Sequence, residues 1–154
     1  MKQHTNSAIG ALPRLQDIGI LPDIMAGNII GIVAQRLIRR LCENCKEGEP
    51  ANDIERRLLG LNENDPETVI YHATGCEQCH HQGYRGRMSI MEMLKINAEL
   101  DDLIARRATM REIRKAALAG GFRPLAEDGV RRVLDGSSSL DEISRVIDLT
   151  DRLL

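Results

Sequence analysis

Apolar positions along the first forty residues recur at helical spacing. Ala8, Ile9, Leu12, Leu15 and Ile18 fall near a 3.6-residue period, with Pro13 early enough to be tolerated and Gly19 as a stop. A second helix is predicted to start at Pro22 and Asp23 and to carry Ile29, Ile30, Val33, Leu37 and Leu41 on one stripe. Arg36, Arg39 and Arg40 then fall in its last turns, where cations suit the helix dipole. The texture changes after Leu41. Cys42-Glu43-Asn44-Cys45 leads into a short helical stretch at 53–61, a β-like run at 68–72, Cys76-Glu77-Gln78-Cys79, and a second mixed run to Leu94. Gly83 and Gly86 suggest a tight turn between short strands. From Ala98 the helical pattern returns. Thr109 with Glu112 forms a capping box for a helix ending at Gly120-Gly121; another spans about 124–134 before Gly136, and a last one starts after Ser138 or Ser139.

The pattern thus predicts a mainly α chain with a small α+β subdomain around the cysteines, in three regions: 1–41, 42–94 and 95–154. Composition narrows what such a chain does. Of 154 residues, 42% are hydrophobic and only 2% aromatic, so the core is aliphatic and there are no platforms on which bases could stack. Net charge is −2, without the basic excess of a sequence-tolerant nucleic-acid binder. No apolar run reaches the roughly 18 to 20 residues of a membrane span, and the first residues lack the apolar core of a signal peptide. The expected compartment keeps thiols reduced.

In that setting the four cysteines carry the strongest chemical signal. A C-x-x-C turn lets two thiolates reach one ion. Two such turns, Cys42/Cys45 and Cys76/Cys79 with 30 residues between them, complete the tetrahedron that Zn²⁺ prefers. Four thiolates with no open position make a structural site. Unmetallated thiols or two disulfides are the plain alternative. Cys76-x-x-Cys79-His80 also matches a c-type haem attachment, which would leave Cys42 and Cys45 unexplained. A thioredoxin-type redox pair lacks its βαβ context. His72, His80 and His81 flank the site as polar neighbours or substitute ligands, and Arg85 and Arg87 beside glycines suit a phosphate or an acidic surface. None of the four lysines directly follows a glycine, so no Walker phosphate loop is present, nor is any hydrolase or dinucleotide motif; no catalytic residue is assigned.

The ordered motifs resemble the C-terminal part of the type II secretion and type IV pilus assembly ATPases (the GspE/PulE/PilB type). They run through His4-Thr5-Asn6-Ser7-Ala8, Arg14-Leu15 to Gly19, Ala34-Gln35-Arg36-Leu37 to Cys42-x-x-Cys45, and Gly75-Cys76-x-x-Cys79. Gly83-Tyr84-x-Gly86-Arg87, Glu92-Met93-Leu94, Glu112-Ile113-Arg114, Leu125-x-x-Asp128-Gly129 and Leu140-Asp141-Glu142-Ile143-x-Arg145-Val146 continue the series. The resemblance implies a remnant of the C-terminal edge of a RecA-like ATPase domain (1–41), a tetracysteine subdomain (42–94) and a C-terminal helical region (95–154). The paired C-x-x-C motifs favour the assembly and secretion branch over the retraction ATPases. His4 matches the end of the family's histidine box and is the one nucleotide-binding candidate; Cys42, Cys45, Cys76 and Cys79 are the metal ligands. ATP and Mg²⁺ belong to the full-length family member, so this chain is not expected to hydrolyse ATP alone. The implied setting is a cytoplasmic homo-hexamer, peripheral to the bacterial inner membrane through a platform protein and cytoplasmic assembly proteins. The alternatives are a stand-alone zinc-stabilised interaction module and a nucleic-acid-binding zinc ribbon resting on Arg36, Arg39, Arg40, Arg85 and Arg87.

Overall fold

The computed structural model describes residues 7–62 and 64–150. The helices are α1 (Ala11–Asp17), α2 (Pro22–Met25), α3 (Asp53–Leu59), α4 (Ala98–Ala105), α5 (Met110–Ala119), α6 (Leu125–Leu134) and α7 (Leu140–Val146). The strands are β1 (Gly31–Leu41), β2 (Glu47–Pro50), β3 (Val69–His72) and β4 (Tyr84–Lys95). The chain is mainly helical, with two two-stranded sheets, β1 with β4 and β2 with β3, among the described residues. It divides into two compact units. One holds the described residues up to Gln35 together with Met91–Leu125; the other holds Arg36–Ile90 and the described residues from Ala126 onward.

Capping chemistry sets the helix boundaries where the sequence put them. Thr109 accepts from Glu112 N–H and Glu112 reaches back to Thr109 N–H at the head of α5. Asn52 and Glu55 form the same box at α3, and the Ser139 hydroxyl accepts from Glu142 N–H at α7.

The stretch from Pro22 to Leu41 is not one helix. It is the four-residue α2 followed by the eleven-residue strand β1. Ile30, Val33, Leu37 and Leu41 fit a helical stripe, but Ile32, Ala34, Arg36 and Ile38 fit a period of two equally well. The β-branched excess (Ile29, Ile30, Ile32, Val33, Ile38) suits a strand, and pairing with β4 selects it. Ile32, Ala34, Arg36 and Ile38 face inward, while Val33 (60% exposed) and Leu37 (63%) face out and Ile30 just before them is 86% exposed. Of the two glycines expected in a turn, Gly83 (φ 75°) closes the bend ahead of β4, but Gly86 lies inside that twelve-residue strand, which buries Ile90, Glu92 and Leu94 on alternate positions. Strand β2, Glu-Gly-Glu-Pro, carries no apolar signal; it forms by antiparallel pairing with β3, Glu47 opposite His72 and Pro50 opposite Val69.

In the first unit the core includes Leu12, Met25, Leu94, Leu100, Ile104, Ile113, Ala117 and Phe122, drawn from α1, α2, the end of β4, α4, α5 and the segment after α5. Fully burying each large aliphatic side chain contributes about 1.5–3 kcal/mol. One charged group sits inside. The carboxylate of Glu92, 3% exposed, accepts from the backbone N–H of Ala8 and from Leu125 N–H at 2.6 Å, the latter at the start of α6. An anion there satisfies two otherwise orphaned donors and suits the positive end of the α6 dipole. Glu92→Leu should therefore cost about 2–4 kcal/mol, read as a lowered urea midpoint, because both buried donors lose their acceptor. Glu92→Gln, whose amide nitrogen meets one of the donors, recovers only part of the loss. An unchanged midpoint for Glu92→Leu would contradict this role.

Candidate metal centre

Each C-x-x-C pair lies on a tight turn closed by its first cysteine's carbonyl. Cys42 accepts from Cys45 N–H and Lys46 N–H, and Cys76 from Cys79 N–H and His81 N–H. The turns are tied together directly, Cys42 N–H donating to Gly83 C=O at 2.9 Å. Glycine is required at two places. Gly75 (φ 119°) would bring a Cβ within 2.7 Å of His81 C=O, and Gly83 (φ 75°) within 2.6 Å of Ala73 Cβ; both also adopt the left-handed conformation that side chains disfavour.

The result is four sulfur atoms within 4.8 Å of one another. Cys42 to Cys76 is 3.9 Å, Cys45 to Cys79 is 3.8 Å and Cys76 to Cys79 is 3.8 Å. A tetrahedron with metal–sulfur bonds of about 2.3 Å has edges of about 3.8 Å, so these spacings fit a four-thiolate metal ion. They are nearly twice the length of a disulfide bond of about 2.05 Å. The group can hold a metal ion, and among the described residues it contains no histidine: His72, His80 and His81 stand outside it. Cys42 and Cys79 are buried, Cys45 and Cys76 half-buried.

The surroundings favour thiolates unevenly. Burial disfavours ionised Cys79, but N–H groups of Cys76 and Gly83, each 3.2 Å from its sulfur, outweigh burial and draw its pKa down to about 6. The Asn44 side-chain amide, 3.3 Å from the Cys76 sulfur, lowers Cys76 against the opposing effect of burial. At Cys42 the N–H of Asn44 favours the thiolate, but burial and hydrogen bonding to the other three thiols prevail and push it up to about 11. Ion binding at such a cluster expels the remaining thiol protons, which makes it pH-dependent.

The tail of the chain braces the first turn from both sides. Leu41 N–H donates to Ser137 C=O, the Ser138 hydroxyl to Arg39 C=O, and Lys46 Nζ to Gly136 C=O at 3.1 Å while sitting over the Tyr71 ring. Glu142, 1% exposed, is the hub. Its carboxylate accepts from Arg39 N–H at 2.9 Å, from the Arg39 guanidinium at 2.6 and 2.9 Å, and from Arg145 at 2.7 and 3.0 Å. Arg39 also lies 4.1 Å over the Tyr84 ring, whose hydroxyl meets Ser139 at 2.6 Å. The sequence offers Glu142 as one residue of the closing Leu140–Val146 motif and gives no sign of the partners of Asn44 or Lys46. Their local signal is slight: each is a polar residue beside a cysteine or a cap. Arg85 and Arg87 lie exposed on β4, and His4 lies outside the described residues.

A profile for the type II/IV secretion system proteins matches residues 2–145. The chain belongs to that family. It is 40% identical over 143 residues to the type II secretion system ATPase E of Vibrio cholerae, covering 93% of this chain and 28% of that protein. It is 36% identical over 151 residues to the type IV pilus assembly ATPase TfpB of Acinetobacter baylyi, covering 96% and 25%. To the type IV pilus assembly ATPase PilB of Thermus thermophilus it is 38% identical over 142 residues, covering 91% and 16%. The chain thus spans about a quarter of the length of the first two relatives. Among the described residues no helix is long and apolar enough to cross a membrane.

The Glu142 hub sets a pH response. Burial works against its charge, but hydrogen bonds from Arg145 and Arg39 prevail and hold its pKa at about 2, below the usual carboxylate range. A depressed folded-state pKa means the stabilisation is fully present above the unfolded value of about 4.3 and is lost as pH falls through it towards about 2. Urea unfolding between pH 6 and pH 2.5 should show a decline on the order of 2 kcal/mol that Glu142→Gln removes. A decline of the same size in Glu142→Gln would assign it to other carboxylates.

Proposed function

We propose that this chain is the zinc-clipped C-terminal portion of a secretion or pilus-assembly ATPase subunit. The observation that carries the reading is the set of sulfur separations at tetrahedral edge lengths, in a chain whose family and relatives are secretion and pilus ATPases. Cys42, Cys45, Cys76 and Cys79 hold the ion. Four thiolates leave it no open position, so zinc serves as a cross-link between segments 34 residues apart, contributing on the order of 10 kcal/mol of apparent binding energy to local folding.

In this reading the phosphate loop, Mg²⁺ and ATP belong to the part of the subunit that the relatives have and this chain does not span. No Gly-x-x-x-x-Gly-Lys-Ser/Thr occurs in its 154 residues. Residues 1–41 continue the RecA-like motor domain, with His4 the nucleotide-binding candidate; residues 42–94 are the clip and 95–154 the helical region. The assembled motor is a cytoplasmic hexamer at the inner membrane, coupling ATP hydrolysis to pilus or pseudopilus assembly through a platform protein.

A chimaera tests this. The matching segment of the Vibrio cholerae type II secretion system ATPase E is replaced by this chain and returned to a strain lacking that ATPase. Secretion and ATP turnover of the purified chimaera should both be restored, and the pair Cys42→Ser and Cys45→Ser should lower both at least tenfold, while the isolated chain shows only background turnover. Turnover by the isolated chain, or a chimaera indifferent to the two substitutions, would overturn the reading.

A further inference from the structure

A basic hollow in the second unit opens beside the metal centre, with Cys42 in its lining, and lies outside the Arg39–Glu142–Arg145 cluster. It measures about 290 Å³ and is lined by Arg40 and Leu41 at the end of β1, Glu43 and Asn44 inside the first cysteine turn, Gln78 inside the second, and Arg85 near the start of β4. Among the described residues neither Arg40 nor Arg85 has an ion pair, whereas Arg39 is held by Glu142. The aliphatic stem of Arg40 lies alongside Gly86, 4.0 Å from where a Cβ would stand, so the two guanidinium groups rise from neighbouring strands beside one hollow. The only carboxylate in the lining, Glu43, is taken up by Lys46 Nζ at 2.7 Å.

Two exposed guanidinium forks without internal partners suit carboxylates or phosphates. The neutral groups distinguish these. Asn44 donates its amide N–H to the Cys76 sulfur, which leaves its carbonyl oxygen as an acceptor, and Gln78 offers both kinds of group. Acceptors match the N–H groups of a peptide and oppose the oxygens of a phosphate. We propose that this hollow docks an acidic peptide segment of a partner protein, Arg40 and Arg85 taking its carboxylates and Asn44 and Gln78 its backbone. The proposal rests on the clip in one respect: Asn44 and Gln78 are placed by the two cysteine turns.

The test is a titration of the ¹⁵N-labelled full chain with hexaglutamate, followed by amide shifts, with zinc content measured on the same sample. Shifts should concentrate at residues 40–44, 78 and 85. They should fall at least fivefold in Arg40→Gln/Arg85→Gln with the remaining spectrum unchanged, and weaken as salt is raised. Absence of shifts overturns the proposal, as do shifts that persist in the double variant or equal shifts with inorganic phosphate. If the arginines serve only to offset thiolate charge, the double variant loses its metal and the native chain shows no shifts, which also overturns it. A zinc-loaded sample without shifts removes the docking site and leaves the clip standing. The spectra judge the hollow whatever the metal content.

Discussion

Four sulfur atoms within 4.8 Å of one another constrain everything around them. Thiolates at that separation repel, and thiols there give up little beyond weak S–H contacts, so the arrangement needs a cation or a rigid scaffold. The chain supplies part of the scaffold: N–H groups of Cys76, Gly75 and Gly83 and the amide of Asn44 all point at sulfur. Two glycines permit the close crossing of the turns. Between the turns, β2 and β3 pair, and α3 is capped at both ends. A cross-link at the base of this 30-residue excursion limits the entropy that its few apolar residues would otherwise have to offset.

Both units use a buried carboxylate to gather distant backbone. Glu92 accepts from Ala8 and Leu125, 84 and 33 residues away in sequence; Glu142 accepts from Arg39, 103 residues away. The two differ in how the charge is compensated. Glu142 faces two guanidinium groups, while Glu92 is held by backbone N–H groups, one at a helix start. In a chain with one Phe, two Tyr and no Trp, large side chains do little of the gathering, and directional polar contacts take a larger part of it. An acceptor buried in aliphatic surroundings gives strong hydrogen bonds and a heavy cost if one is lost.

The helices of the tail were legible because their caps are local chemistry: Thr109 with Glu112, Ser139 ahead of Glu142, and Gly120-Gly121 after α5. The cysteine cluster was legible for the same reason, since the spacing places each pair on one tight turn. Strand β1 was not. Ile30, Val33, Leu37 and Leu41 satisfy a helical period, and only pairing with β4, distant in sequence, selects the period of two. Glu92 and Glu142 were visible as residues but not as hubs. Their partners come from segments 33 to 103 residues away, and no local pattern encodes that distance.

We propose that a metal ion, and not disulfides or free thiols, occupies the four-cysteine cluster. Native mass spectrometry of the chain purified under reducing conditions without added metal tests it most directly, because the three states differ in mass. One zinc per chain is expected, at a mass raised by zinc less two protons, and its loss in Cys76→Ser/Cys79→Ser. A mass equal to the bare chain, or one lowered by the four hydrogens of two disulfides, would contradict it.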